Sequence, residues 1–325
     1  MTGTISAFGD GLDMTRLDTI SPEEEARFRT FYKEVKGGLI PAHAFMLEFR
    51  PDLLKRHRAL AREMTDHENE KYPLVHTLAH LHYYAIVGFG DGIGYEITQA
   101  RRGGALRSDV LDTLGIAYLH AGPKGMAAVA AAATSALRDW QDDPRPDRFP
   151  PHWRFDPAAL STGCDFADPE LSATEAAAIR RWYQTAIGEI PPYVALLFEH
   201  RPRLLKSYRS RMEAAISGSL PVQAFAWFQL HHAVCRNWGS GIREAILLGR
   251  HLGLRSSEID DAISWGLFYG GPAGLSLTRE VARDLLVVHP GSPATIRAAG
   301  TAPLNDPIAP PESTAPPRID SPAQT

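Results

Sequence analysis

At 325 residues, with 44% hydrophobic and 22% charged residues, the chain has the length of two ordinary globular domains and enough apolar side chains for sizeable cores. A formal net charge of −4 provides no broad basic field, so no nucleic-acid partner is expected. No run of about 18 apolar residues occurs, the first residues lack a leader's apolar stretch, and the cysteines are only Cys164 and Cys235; the expectation is a cytoplasmic protein with no membrane partner and no structural disulfide.

Residues 1–20 read as an N-terminal extension. Ser21 then offers an N-cap, with Pro22 at the first helical position and glutamates in the first turn. Phe28, Phe31, Tyr32 and Val35 recur at helical spacing until Gly37 and Gly38 stop the helix before Ile40-Pro41. Further helices are predicted over residues 50–63 and 72–87. The glycine-rich stretch 88–94 reads as a loop, because each glycine inside a helix costs roughly 1 kcal/mol against alanine. Asp91 is the expected cap of the next helix, which runs to about Arg102 and ends near Gly104; helices over 109–120 and 127–140 follow. Residues 141–171, with five prolines before GCDFADPE, suit an ordered non-helical linker. Residues 290–325 are rich in Pro, Ala, Ser and Thr without any aromatic residue, the composition of a disordered tail. Strand-like alternation is scarce, so the fold class is all-α.

The chain also matches itself. FYKEVKGGLIPAHAFMLEFRPDLLK (31–55) lies opposite WYQTAIGEIPPYVALLFEHRPRLLK (182–206), placing Pro51 against Pro202, 151 residues on. HYYAIVGFGDGIG (82–94) lies opposite HHAVCRNWGSGIR (231–243), placing His82 against His231 at an offset of 149, and HAGPKGM (120–126) against YGGPAGL (269–275) keeps that register. Three blocks in one order read as a tandem duplication. The expected modules are residues 21–140 and 172–289.

The end of each module carries a family pattern. The first shows Glu96, Ala100, Gly104, Asp109 and His120-Ala-Gly-Pro-Lys-Gly; the second shows Ala245, Gly249, Gly253, Glu258 and Tyr269-Gly-Gly-Pro-Ala-Gly. Each module thus resembles the carboxymuconolactone decarboxylase and alkylhydroperoxidase D family over about 120 residues. The resemblance implies helical modules that assemble into a homo-oligomer. It also locates a difference. The family's peroxidase cysteines would fall on Phe89 and Gly92, and on Trp238 and Gly241, while its histidine position holds Glu96 and Ala245. None of these side chains supplies a thiolate, so thiol peroxidase chemistry is excluded.

The remaining chemistry rests on other residues. His82 and His231 recur at one position and offer a general acid or base near neutrality; a core histidine bonded to a carbonyl is the competing reading. Glu96, if buried, has a raised pKa and exchanges protons with a substrate. Tyr83 and Asp91 complete the expected catalytic set. Gly90 and Gly92 expose backbone N–H groups at a helix start, an anion site in principle, or else allow tight packing. Phe89, His120, Trp238 and His232 are the expected substrate contacts. His76 and His80 share a helix face, yet the second module has no equivalent and no carboxylate matches them, so no metal site is expected. The function expected is a cofactor-free lyase or isomerase acting by acid–base chemistry on a small carboxylated or carbonyl-bearing molecule. The alternative is a non-catalytic small-molecule-binding or scaffold protein.

Overall fold

The computed structural model describes residues 10–64, 71–143, 145 and 147–287, which contain helices and no strand. The expected tail at 290–325 and the first nine residues of the extension lie outside the described residues. Seven helices form the first half: α1 (Pro22–Lys36), α2 (Pro41–Phe49), α3 (Pro51–Glu63), α4 (Pro73–Val87), α5 (Gly90–Arg102), α6 (Arg107–Ala117) and α7 (Pro123–Arg138). Seven more follow: α8 (Ala173–Ala186), α9 (Pro192–His200), α10 (Pro202–Glu213), α11 (Val222–Cys235), α12 (Gly239–Leu252), α13 (Ser256–Gly270) and α14 (Pro272–Ala282). None of the described helices is long and apolar enough to cross a membrane.

Helix ends follow the local chemistry. Ser21 and Glu24 form a reciprocal capping box on α1, and Gly37 ends it in the left-handed region at φ 84°. The helix α2 was not foreseen, because Pro41 and Pro51 bracket only nine residues. Proline opens a helix without losing a needed N–H, so the two prolines start two helices. A residue before proline avoids the helical region, and Arg50 accordingly breaks the chain at φ −146°, ψ 63°. Arg201 before Pro202 does the same at φ −145°, ψ 61°.

The expected loop over 88–94 is also corrected. Only Gly88 and Phe89 are non-helical: Gly88 caps α4 at φ 72°, Phe89 is the N-cap of α5, and Asp91 lies in the first turn instead of capping it. Trp238 holds the same place before α12. Gly90 and Gly92 are tolerated because a first turn has few intrahelical bonds to lose. The helix expected from 109 starts at Arg107, with Asp109 accepting from the Leu106 N–H at 2.8 Å, and stops at Ala117, leaving His120 in a turn. Pro123, not residue 127, opens α7.

The core forms around α4 and α11, which are buried on almost every face; a helix apolar all round belongs inside. Helix α4 packs on α5, α6 and α7, α11 packs on α12, α13 and α14, and the two meet each other. One continuous cluster therefore runs from Leu78 and Leu81 to Phe228 and Leu230, and a smaller one, including Phe28, Tyr32 and Leu54, lies beneath α1–α3. The Gly-Pro-x-Gly turns have a packing reason. A Cβ on Gly125 would overlap the Ala85 carbonyl oxygen, and one on Gly274 would overlap that of Val234. The segment after α7 is held rather than loose: Arg154 N–H donates to Gln223 Oε1 at 2.8 Å, and Trp153 Nε1 donates to Glu258 at 2.9 Å.

Candidate functional site

A cavity of about 330 Å³ opens between α1–α5 and α13. Phe31, Tyr32, Phe89, Trp265 and Phe268 give it aromatic walls, and Phe89, 40% exposed, stands at its edge. Into this apolar space the helices bring a dense polar set. Lys36, at the end of α1, reaches Glu96 on α5, with Nζ–Oε1 at 2.6 Å and only 2% of the glutamate side chain exposed. Burial raises the pKa of Glu96 and the Lys36 ammonium opposes that rise. His76 on α4 bonds Asp261 on α13 through Nε2–Oδ2 at 2.7 Å, with 1% of the aspartate side chain exposed. Arg58 is held by Asp10 at 2.8 Å and lies over the Tyr32 ring.

Three further histidines are kept neutral by burial. His43 is pushed down to about 2 and His57 to about 4, in both cases by desolvation ahead of the nearby Arg58 charge. His80 is driven well below its ordinary value by desolvation, assisted by His231 and Lys36. Its ring lies 4.6 Å from Tyr269 and 4.8 Å from Trp265. Tyr84 and Tyr269 share a hydrogen bond, and burial raises both phenols. Four buried polar atoms of lining residues have no protein partner: His43 Nδ1, His80 Nε2, Glu96 Oε2 and Gln99 Oε1. Buried polar groups are normally bonded, and these four unpartnered atoms belong to side chains that line one cavity. Among the described residues no group of three or more His, Cys, Asp or Glu side chains is arranged to hold a metal ion.

Of the residues singled out from the sequence, Glu96 and Phe89 line this cavity. His82 does not. It is fully buried, with both ring nitrogens unbonded, between Phe228 at 5.7 Å and His232 at 5.9 Å, and desolvation holds it neutral. His82, expected in one catalytic set with Glu96, is therefore absent from the cavity: on α4, His76 and His80 share the face turned to it, and His82 points elsewhere. His231 is stacked on Trp227 and lies 5.8 Å from His80, and half-buried Tyr83 packs on His231. Asp91 is exposed, and neither it, Gly90 nor Gly92 lines the cavity. Gly92 instead makes room for rings: a Cβ there would come within 2.6 Å of Tyr84 Cδ2 and overlap Phe89.

His120 and Trp238 line a second space of about 30 Å³, and His232 packs against His120 at 5.1 Å. The alignment of the two halves in sequence pairs residues around the two cavities. Ala42, His57, His76, His80, Glu96 and Gln99 around the larger cavity stand, at offsets of 151 and then 149, opposite Tyr193, Tyr208, Phe225, Gln229, Ala245 and Leu248 around the smaller. Each cavity also borrows from the other half: Phe268 and Tyr269 close the first, Leu119 and His120 the second. Tyr193, Tyr208, Phe225 and Leu248 crowd the second space. Beside them Glu244, bonded to the Tyr193 hydroxyl at 3.0 Å, is raised to about 7 by desolvation.

Sequence reasoning missed Lys36, His43, His57 and Asp261. Their partners lie far along the chain, 60 residues for Lys36–Glu96 and 185 for His76–Asp261, so no local spacing reveals them. His76 and His80 were noticed, but as a metal pair. The available signal was the comparison of the two halves, in which Lys36, His43 and His57 align with Ile187, Val194 and Tyr208, whereas Asp261 aligns with another aspartate, Asp112, and carried no such signal. No protein-family model, curated protein or solved structure matches the chain.

Proposed function

We propose that the chain is a cofactor-free acid–base enzyme of the lyase or isomerase type, acting on a small carbonyl-bearing molecule in the larger cavity. The observation that carries this reading is the convergence of the buried Lys36–Glu96 pair, the unpartnered His80 Nε2 and the Tyr84–Tyr269 hydroxyls on one aromatic-walled space. Glu96 as carboxylate removes a proton from the carbon next to the carbonyl, and the Lys36 ammonium beside it favours that ionised form. The enolate oxygen so formed takes a hydrogen bond from neutral His80, in the tautomer with hydrogen on Nε2. Return of the proton from Glu96 to another carbon completes an isomerisation, and departure of a leaving group from the enolate gives an elimination. The His76–Asp261 bond joins α4 to α13 and fixes the helix face that carries His80.

On this reading the second half is a degenerate partner. A tandem pair of modules resembling the carboxymuconolactone decarboxylase and alkylhydroperoxidase D family fits the repeated helix order, the equal breaks at Arg50 and Arg201, and the equal glycine contacts at Gly125 and Gly274. In the test, β-tetralone, a neutral bicyclic ketone, is incubated with the protein in deuterium oxide and α-proton loss is followed by proton NMR. Exchange above the buffer rate is expected, falling by about a hundredfold or more in Glu96→Gln with unchanged circular dichroism. Exchange no faster than buffer, or equally fast in Glu96→Gln, would leave a ligand-binding protein without this chemistry.

A further inference from the structure

The cavity says more about its ligand than that it bears a carbonyl. Its charged side chains are already engaged inside the protein, Arg58 through an Asp10 carboxylate that also holds Arg62 at 3.0 Å. The Lys36 ammonium sits 2.6 Å from Glu96, and Arg58 sits 2.8 Å from Asp10. A carboxylate entering beside Glu96 would meet a like charge and would have to draw Lys36 away from its partner. An ammonium would have to displace Lys36 in turn. Either ion would lose hydration in an apolar space without gaining a counter-ion, which is heavily unfavourable. Size is equally restrictive. An apolar cavity of about 150 Å³ accepts one benzene ring, so 330 Å³ holds about two.

Four unpartnered polar atoms lie on side chains that line the cavity. Glu96 Oε2, as carboxylate, and Gln99 Oε1 accept hydrogen bonds, so a ligand that brings a hydrogen suits them. His43 Nδ1 and His80 Nε2 accept or donate according to tautomer, and both residues are more than nine-tenths buried. We infer that the larger cavity selects an uncharged aromatic molecule of about two rings bearing a hydroxyl or enol hydrogen, and discriminates against carboxylates of the same size. This deepens the acid–base reading above and rests on it only for the location of the site.

The test is isothermal titration calorimetry of the full chain near neutral pH with a naphthol and with the corresponding naphthoate, equal in ring system and opposite in charge state. Saturable naphthol binding is expected, with naphthoate weaker by at least about tenfold. Ala42→Tyr, which installs the residue found opposite in the second half, is expected to abolish naphthol binding while the melting temperature is unchanged. Gln99→Leu, a second such replacement, should weaken naphthol binding several-fold. Equal or tighter naphthoate binding, no binding of either compound, or naphthol binding indifferent to both replacements overturns the inference. The two readings fail separately. Naphthol preference without tetralone exchange removes the acid–base chemistry and keeps the ligand class; exchange with a preference for naphthoate does the reverse.

Discussion

Lys36→Met isolates the ion pair at the centre of the cavity. The substitution keeps the side chain's length but leaves Glu96, with 2% of its side chain exposed, without its cation. Removing one partner of a buried pair costs about 3–5 kcal/mol when the remaining charge must stay. A carboxylate has an escape, because it can take up a proton. The penalty is then capped by the cost of protonating a carboxyl of ordinary pKa 4.5. At about 1.36 kcal/mol per unit, that cap is roughly 3.4 kcal/mol at about pH 7 and roughly 0.7 kcal/mol at about pH 5. The sign follows from linkage. Burial raises the folded-state pKa of Glu96, so between 4.5 and the folded value the native state binds more protons than the unfolded chain. Stability therefore falls as pH rises through that window, and Lys36→Met extends the window upward. Urea unfolding at the two pH values should show a destabilisation of about 2–3 kcal/mol near neutrality that mostly disappears at the lower pH. Adding Glu96→Gln to the variant should restore most of the loss. A destabilisation below about 0.5 kcal/mol, or one independent of pH, would show that water reaches Glu96, and the reasoning would be refuted.

Other substitutions probe separate parts of the account. Asp261→Leu removes the acceptor of His76 and should cost about 1–3 kcal/mol in chemical denaturation while also reducing tetralone exchange; full activity would detach the dyad from the site. In the second half, Glu244 is raised to about 7, so its stability contribution declines as pH rises from 4.5 through 7. Glu244→Gln should therefore stabilise by about 1–3 kcal/mol at alkaline pH, the lower figure allowing for partial solvent access, and by almost nothing near pH 4.5. Gly92→Ala should destabilise by about 1–3 kcal/mol through its collision with Tyr84 and Phe89. Gly90→Ala, which meets nothing within 4 Å, should stabilise by up to about 1 kcal/mol. Similar thermal shifts for the two would contradict the packing role given to Gly92.

Much of the helix plan was readable because it is local. Ser21 with Glu24, Gly37, and proline at the start of α1 and α3 each act within a turn of the chain. The glycine-rich stretch misled because propensity penalises glycine in a helix interior, whereas Gly90 and Gly92 occupy a first turn and Gly92 is required by the rings above it. The site was legible only in part. Glu96 stood out because the family that the sequence resembles carries a histidine there, but its partner Lys36 comes from another helix. His82 drew attention by recurring as His231, and recurrence here marks the buried centre of the fold, where the two residues sit on the paired helices α4 and α11. More informative are polar residues aligned with apolar ones in the other half, such as Glu96 with Ala245 and Gln99 with Leu248, around the smaller cavity.

The most direct measurement is a crystal structure of the protein with β-tetralone. The account places the ketone in the larger cavity, its carbonyl oxygen within about 3.2 Å of His80 Nε2 and its α-carbon facing Glu96. A ketone bound beside His82, in the second cavity or on the surface, with the larger cavity unoccupied, would contradict it.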